Sequence, residues 1–512
     1  MTGIYFREIQ VPRMLLPSVL TKLKVQHRAL SCYLLLSIWL FLLIGGMYKY
    51  IGTGDVIKLS NNDVTYHSFS HNIHPSVKTK NKFRICNSPQ DISESITAEG
   101  LVNSNFTLEA VFVLIRHGDR GPLTHVRNIS NINCGSMHDP FFETYKDFVQ
   151  NISGSPLLFQ LLGPFHGFPL IPSSTCNLGQ LTQVGISQLL TTGRLLKKVY
   201  SKRLGLTNLT TQQDFVVYST KYRRTLQSGL AFLYSFLSPD LLHNVVFRES
   251  QSLQFCFDDC ACPSIETYVK KIVSKTSSHL KSHPAVLKLV NIASLIIYEM
   301  YEKNLASDPY SLRDALLTYV CHEAKLPCSE HDVCVRKEHI TTLFAYIEWE
   351  TRQNNKSPYY KYSCLLRSYG LIKNIVSHLV RIISEKRPKF VLYSGHDKTI
   401  QYLTTALGVA TDLTITPLYA SRLIFEVYRS SNQISNGKNM QIGSDFYFRL
   451  VFNGKDITNR IHFCRRRSIL DVSPLKAHLI YLCPIESIIR FLHDDYFTTL
   501  NSTNLKDACV LH

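Results

Sequence analysis

The chain predicts an α/β fold: a mostly parallel sheet flanked by helices, with a mainly helical cap inserted, all behind an N-terminal membrane-spanning helix. Three observations predict it. First, Glu109–Ile115, Asp214–Tyr218 and Lys389–Ser394 are near-continuous apolar runs, the mark of strands buried on both faces. Second, each run empties into a polar cluster, as ligand-binding groups do at the carboxyl edge of an open α/β sheet. Third, helical spacing fills the long stretches between the runs.

The N-terminal elements come first in the chain. Ala29 to Tyr48 holds no Asp, Glu, Lys or Arg and is long enough to cross a bilayer. Arg7, Arg13, Lys22, Lys24 and Arg28 precede it against the single acid Glu8, which predicts a cytosolic tail (1–28), a signal anchor (29–48) and a lumenal remainder. A cleaved signal peptide is the rival; the long basic leader and the lack of a small-x-small site weigh against it. Residues 49–105 are polar and aperiodic and read as a lumenal stem. Residues 106–512 read as the catalytic part.

Within that part, Leu226 to Leu237 is helix-like. So is the stretch before Pro388, where Leu371, Ile372, Ile375, Val376, Leu379, Ile382 and Ile383 recur at helical spacing. Residues about 123–178 and 256–385 are predicted to hold most of the cap. Ser421–Tyr428 and Asp445–Phe452 alternate like strands, the second ending in the turn pair Asn453-Gly454.

Composition agrees with a folded secretory protein. Hydrophobic residues make up 45% of the chain, enough for a large core. The formal charge of +18 favours anionic partners: phosphates, membrane surfaces or acidic glycans. Nucleic acid ranks last, because the compartment is wrong for it. Of 14 cysteines, Cys32 lies in the apolar run; the rest are odd in number and belong to an oxidising compartment. Cys364 stands apart from the clusters and is expected to be free. Cys321-His322, Cys328, His331 and Cys334 imitate a zinc site, but in such a compartment disulfides are the better reading. Sequons at Asn105, Asn128, Asn151, Asn208, Asn355 and Asn501 all follow the anchor. Arg465-Arg466-Arg467 reads as a solvated basic loop, with docking of an acidic glycan as the alternative.

The chemistry lies in Arg116-His117-Gly118-Asp119-Arg120-Gly121-Pro122, in Arg224, and in His396-Asp397. A neutral imidazole can attack phosphorus, arginine forks bind phosphate oxygens in pairs, and a carboxylic acid can protonate a leaving oxygen. Arg223 adjoins Arg224 and could take its place.

These residues resemble the histidine acid phosphatase branch of the histidine phosphatase superfamily. Its Arg-His-Gly-x-Arg-x-Pro pattern is met by Arg116, His117, Gly118, Arg120 and Pro122. Its Gly-x-Leu-Thr-x-x-Gly element is met by Gly179, Leu181, Thr182 and Gly185. Ser219-Thr220 through Arg224-Thr225 and His396-Asp397 follow in order. The resemblance implies that His117 is the nucleophile and Asp397 the proton donor. It assigns phosphate binding to Arg116, Arg120, Arg224 and His396, and it implies a reaction needing no cofactor or metal. Within the branch, the anchor, Arg224–Ala231, Phe255-Cys256, Ser421–Glu426 and Asp507–Cys509 resemble Golgi enzymes. Those enzymes remove phosphate from xylose in the glycosaminoglycan–protein linkage region. The implied substrate is that phosphorylated glycan on proteoglycan core proteins. The implied place is the Golgi membrane, single-pass type II, among glycosyltransferases. The branch usually has Ala where this chain has Gly395. A broad acid phosphatase and a non-catalytic glycosyltransferase partner are the alternatives.

Overall fold

The computed structural model describes residues 37, 39, 84–95, 97–102, 105–135, 139–206, 211–250, 252–257, 261–298, 308–431, 445–464, 470–471 and 480–510. The chain divides into two compact units, 1–75 and 76–512. In the first, only Ser37 and Trp39 are described, both helical. The rest of the expected anchor and the Arg465–Arg467 loop lie outside the described residues. Among the described residues no single helix is long and apolar enough to cross a membrane.

The second unit is built on one sheet. Strands β1 (Phe106–Arg116), β2 (Phe215–Thr220), β3 (Phe247–Ser250) and β4 (Phe390–Gly395) run parallel in the order β3-β2-β4-β1. Strands β5 (Arg422–Ser430), β6 (Phe446–Phe452), β7 (Lys455–Asp456), β8 (Leu470–Asp471) and β9 (Tyr481–Pro484) continue it antiparallel. The sheet is therefore mixed, which corrects the expectation of a mostly parallel one. An antiparallel pair needs only a return loop rather than a crossover helix, so β5 and β6 extend the sheet with none of the constraint that orders the first four strands.

Strand β1 shows why its sequence is continuously apolar. Val111, Val113 and Ile115 enter a core on one face, with Ala110, Phe112 and Leu114 in a core on the other. Each of the Val, Ile, Leu and Phe side chains contributes about 1.5–3 kcal/mol through lost water contact. Helices α1 (Gln183–Tyr200) and α2 (Arg223–Phe236) fill the first face; α7 (Pro358–Glu385) and α8 (Asp397–Ala406) fill the second. The intervening α3 (Pro263–Lys281), α4 (Pro284–Ile297), α5 (Pro309–Cys321) and α6 (Lys337–Asn355) supply most of a third core, around Val290, Leu312, Leu316 and Ile340.

Residues 84–102 fall in the span read as stem, yet they are built into this unit. Cys86 bonds Cys321, Ile92 is buried, and Glu99 pairs with Arg422. Further disulfides join Cys134–Cys176, Cys262–Cys509, Cys328–Cys334 and Cys464–Cys483, and Cys256 is also disulfide-bonded. The zinc-like cluster thus spends its sulfurs on disulfides. Cys364 is free and buried, and burial pushes its thiol up to about 12. Asn105, Asn128, Asn151 and Asn501 are exposed; Asn355 is half-buried and accepts a hydrogen bond from Thr405.

Candidate active site

The pairing register puts three strand ends side by side. Arg116 of β1 lies opposite Gly395 of β4, and Ser219 of β2 lies opposite Ser394. The polar clusters that follow β1, β2 and β4 therefore meet, although they are far apart in the chain. Helices α2 and α8 both start at this edge, so two helix N-termini add positive potential there.

His117 is 3% exposed. Its main chain is pinned on both sides: its N–H donates to Gly395 O at 2.9 Å, and its carbonyl accepts from Ala420 N at 3.2 Å. The ring Nδ1 lies 2.8 Å from the Gly118 carbonyl. Only a protonated Nδ1 can satisfy that carbonyl, which leaves the Nε2 lone pair for another partner. Burial, then the charges of Arg224, Arg116, His396 and Arg120, hold the imidazole well below its usual pKa. It is neutral, as a nucleophile must be.

The loop after it is shaped by close approach. A Cβ on Gly118 would sit 2.3 Å from the Gly185 carbonyl oxygen, and a Cβ on Gly185 would sit 2.3 Å from that of Asp119. The two elements touch backbone to backbone, and only glycine fits at either place.

The charges of three arginines act on His117. Arg116 is 8% exposed, donates from Nη1 to the Pro417 carbonyl at 2.6 Å and stacks over Tyr419 at 4.1 Å. Arg120 forks onto Asp314 of α5, at 2.6 and 3.2 Å. Arg224 donates to the Gly179 carbonyl at 3.3 Å and lies over the Tyr222 ring at 4.4 Å. Burial and the nearby Arg120 charge bring the Arg224 guanidinium down to about 10. In all three the buried Nε has no hydrogen-bond partner. Buried donors without a protein partner are costly, and the charges of all three guanidinium groups act on the one imidazole, a setting that favours an anion.

His396 completes the floor. Its Nε2 lies 2.9 Å from the Thr220 hydroxyl, and burial with the Arg224 charge lowers it to about 3. Its ring is 5.5 Å from that of His117, edge to face. Asp397 sits at the mouth with its side chain 38% exposed, 3.8 Å from Arg116. Burial would raise its carboxyl, but Arg116, Lys398 and Arg120 outweigh this and hold it well below the usual carboxylate range.

Contacts and mutual charge effects thus bring together all six residues singled out in the sequence. Arg223 is exposed beside them, and Arg224 is the one turned into the charged cluster. Sequence reasoning assigned no role here to five others. Asp314 clamps Arg120 and also accepts from Leu123 N at 2.8 Å. Asp119 accepts from Thr182 Oγ1 at 2.7 Å and meets His322 Nε2 at 2.8 Å. Burial would lower the His322 pKa, but the charge and hydrogen bond of Asp119 outweigh it and raise it, and the contact ties the end of α5 to the loop. Tyr419, pushed up to about 12 chiefly by burial, backs Arg116 and His117. Tyr222 stands beside His396 and Arg224. Asp119 alone carried a signal, inside the Arg-His-Gly motif. The rest depend on tertiary placement.

Chemically, the pit offers a neutral nucleophile, a fixed positive cradle and a carboxyl group at the rim. The sequence pattern of the histidine phosphatase superfamily (branch 2) matches residues 107–308 and 344–453. The 2-phosphoxylose phosphatase 1 of Xenopus tropicalis is 31% identical, over 83% of this chain and 81% of its own length. The Homo sapiens protein of the same name is 30% identical over 83% and 85%. The prostatic acid phosphatase of Mus musculus is 25% identical over 52% and 71%.

Proposed function

The chain belongs to the histidine phosphatase superfamily (branch 2), and from that premise we propose that it cleaves phosphomonoesters through a phosphohistidine on His117. The observation that carries the reading is a neutral, buried imidazole on which three guanidinium charges converge.

Arg116, Arg120, Arg224 and His396 take the phosphate oxygens. His117 Nε2 attacks phosphorus, the bond to the leaving oxygen breaks, and Asp397 gives that oxygen its proton. Water then attacks the phosphohistidine, Asp397 takes a proton back, and phosphate leaves. Asp397 is ionised in the empty pit. A bound phosphate dianion offsets the Arg116 and Arg120 charges that hold it so, and adds repulsion of its own. Both effects raise the carboxyl and let it carry the proton that the step needs.

The substrate we propose is xylose 2-phosphate in the glycosaminoglycan–protein linkage region. Its support is the name of relatives that match along four-fifths of the chain. The proposed setting rests on the N-terminal sequence and the resemblance: a cytosolic tail at 1–28, a signal anchor at 29–48, a polar stem beginning at 49, and a lumenal catalytic domain with its helical cap. That makes a type II Golgi membrane protein acting on proteoglycan core proteins.

The test is phosphate release from a xylose-2-phosphate linkage oligosaccharide and from an aryl phosphate, by wild type and His117→Ala, with and without EDTA. The proposal expects EDTA-insensitive, His117-dependent activity that favours the glycan. Activity on the aryl phosphate alone would keep the mechanism and replace the substrate with a broad acid-phosphatase range. Activity that survives His117→Ala would sink both.

A further inference from the structure

The rim of the pit carries side chains that the phosphate chemistry does not use. Tyr222, Leu123 and Leu178 are large, apolar-faced and open to solvent, at 39%, 55% and 43% exposure. They gather around one of the phosphate-binding arginines. Arg224 lies on the Tyr222 ring at 4.4 Å. A Cβ built on Gly179 would stand 3.6 Å from Leu123 Cδ2 and 3.9 Å from Arg224 Nη1, so Leu123 and Arg224 flank the same backbone point. Leu178 immediately precedes that glycine. Pairing fixes the loop: Gly179 N donates to the Pro122 carbonyl at 2.8 Å.

Direction matters as much as exposure. Tyr222 also packs edge to face with His396, at 5.2 Å between centroids. His396 precedes Asp397, the proton donor of the proposed reaction. Arg224 feels the charges of both Tyr222 and Asp397, so the donor and the ring lie about the same guanidinium, and a leaving group whose bridging oxygen is at the donor has Tyr222 within its reach. There it meets an aromatic ring, two leucines, and the exposed cations Arg223 and Lys398. Such a rim suits a leaving group with a C–H-rich face and polar or anionic edges. A pyranose ring has that form, since its axial C–H groups lie against an aromatic face while its hydroxyls point outward.

We propose that Tyr222, with Leu123 and Leu178 beside it, forms a leaving-group subsite that stacks the sugar ring bearing the phosphate. The subsite rests on the phosphatase reading given above, and it deepens it by naming a residue that selects for sugar. Tyr222 is a specificity residue here, and its ring is what counts rather than its hydroxyl.

The experiment uses the full chain as wild type, Tyr222→Ala and Tyr222→Phe. The substrates are a xylose 2-phosphate glycoside, ethyl phosphate, which has no ring, and a lysophosphatidate, which has an acyl chain. The readout is kcat/KM for each, with KM and kcat separated. The ratio of xylosyl to ethyl phosphate should fall about tenfold in Tyr222→Ala, mostly through KM, and stay near wild type in Tyr222→Phe. An equal loss on both substrates would overturn the subsite, because Tyr222 would then serve only to seat Arg224. A ratio that does not move would overturn it as well. A loss confined to the lysophosphatidate would replace the sugar with a lipid. The phosphatase reading fails separately: it falls if His117→Ala retains hydrolysis of ethyl phosphate, whatever Tyr222 does.

Discussion

The molecule buries arginines in two places and treats them differently. Behind the sheet, Arg422 meets Glu99 at 2.7 and 3.2 Å, and Arg449 meets Glu426 at 3.0 Å and Asp456 at 2.8 Å. Glu426 also accepts from Gly100 N, Tyr200 and Tyr428. In the pit, Arg224 has a carbonyl for a partner, Arg116 has a carbonyl and a distant carboxylate, and only Arg120 is properly paired. Both sets are out of water. One has its counter-charge inside the protein and so contributes to the fold. The other is left short, and its missing charge is the substrate's. A phosphatase of this kind keeps its binding strength in donors that the fold holds but does not satisfy.

Four substitutions would sharpen or break that comparison. The largest effect is expected for His117→Ala, which should lower kcat by about 10⁴-fold while leaving the unfolding midpoint in place; trapping of labelled phosphate on wild type but not on the variant is the check. Glu426→Ala should do the opposite. It takes one of the two carboxylates from Arg449 and the acceptor from Gly100 N, Tyr200 and Tyr428, which costs about 3–5 kcal/mol in chemical denaturation, with kcat per folded molecule unchanged. If Glu426→Ala instead abolished turnover at wild-type stability, the division between the two arginine sets would be wrong. Arg224→Lys should lower kcat/KM about 10²-fold, because a point charge cannot replace a planar fork. Its stability should stay within about 0.5 kcal/mol, since no internal carboxylate loses a partner.

The smallest effect concerns pH. His396 is held near 3 in the folded state against 6.5 for the ordinary group, so the unfolded chain binds the proton first. Stability should then rise with pH between about 3 and 6.5, and acid should unfold the protein partly through this residue. In His396→Gln the melting temperature should fall less steeply over that window, by a few degrees at its acid end. A steeper fall would mean that the imidazole is charged in the native pit.

What was readable in the sequence, and what was not, follows the same line. Strands β1, β2 and β4 were legible because burial on both faces removes polar residues from a run. The residues they deliver were legible because the chemistry needs those types directly after the strand. The antiparallel half was misjudged in its weight, since strand direction is decided by which neighbours pair and leaves little trace in a run such as Arg422–Ser430. Asp314 went unnoticed, and His322 was noticed only as part of a zinc-like cluster, for a plainer reason. Each reaches the Arg-His-Gly loop across about two hundred residues of chain, and an isolated Asp or His in a helical stretch carries no local mark of the partner it will meet. Segment 84–102 misled because Glu99 and Cys86 draw their meaning from Arg422 and Cys321, far downstream.

The contact between Gly118 and Gly185 has a genetic consequence. Gly118 sits in the motif that any reader would inspect, and a missense change there would be flagged at once. Gly185 lies in the first turn of a helix, and it closes an element to which no chemistry was assigned. Yet any side chain there would strike the Asp119 backbone and displace the nucleophile's loop. Inherited or induced variants at codon 185 should therefore behave as null alleles. Pairs of compensating changes at the two glycines should not arise, because neither position has room to yield to the other.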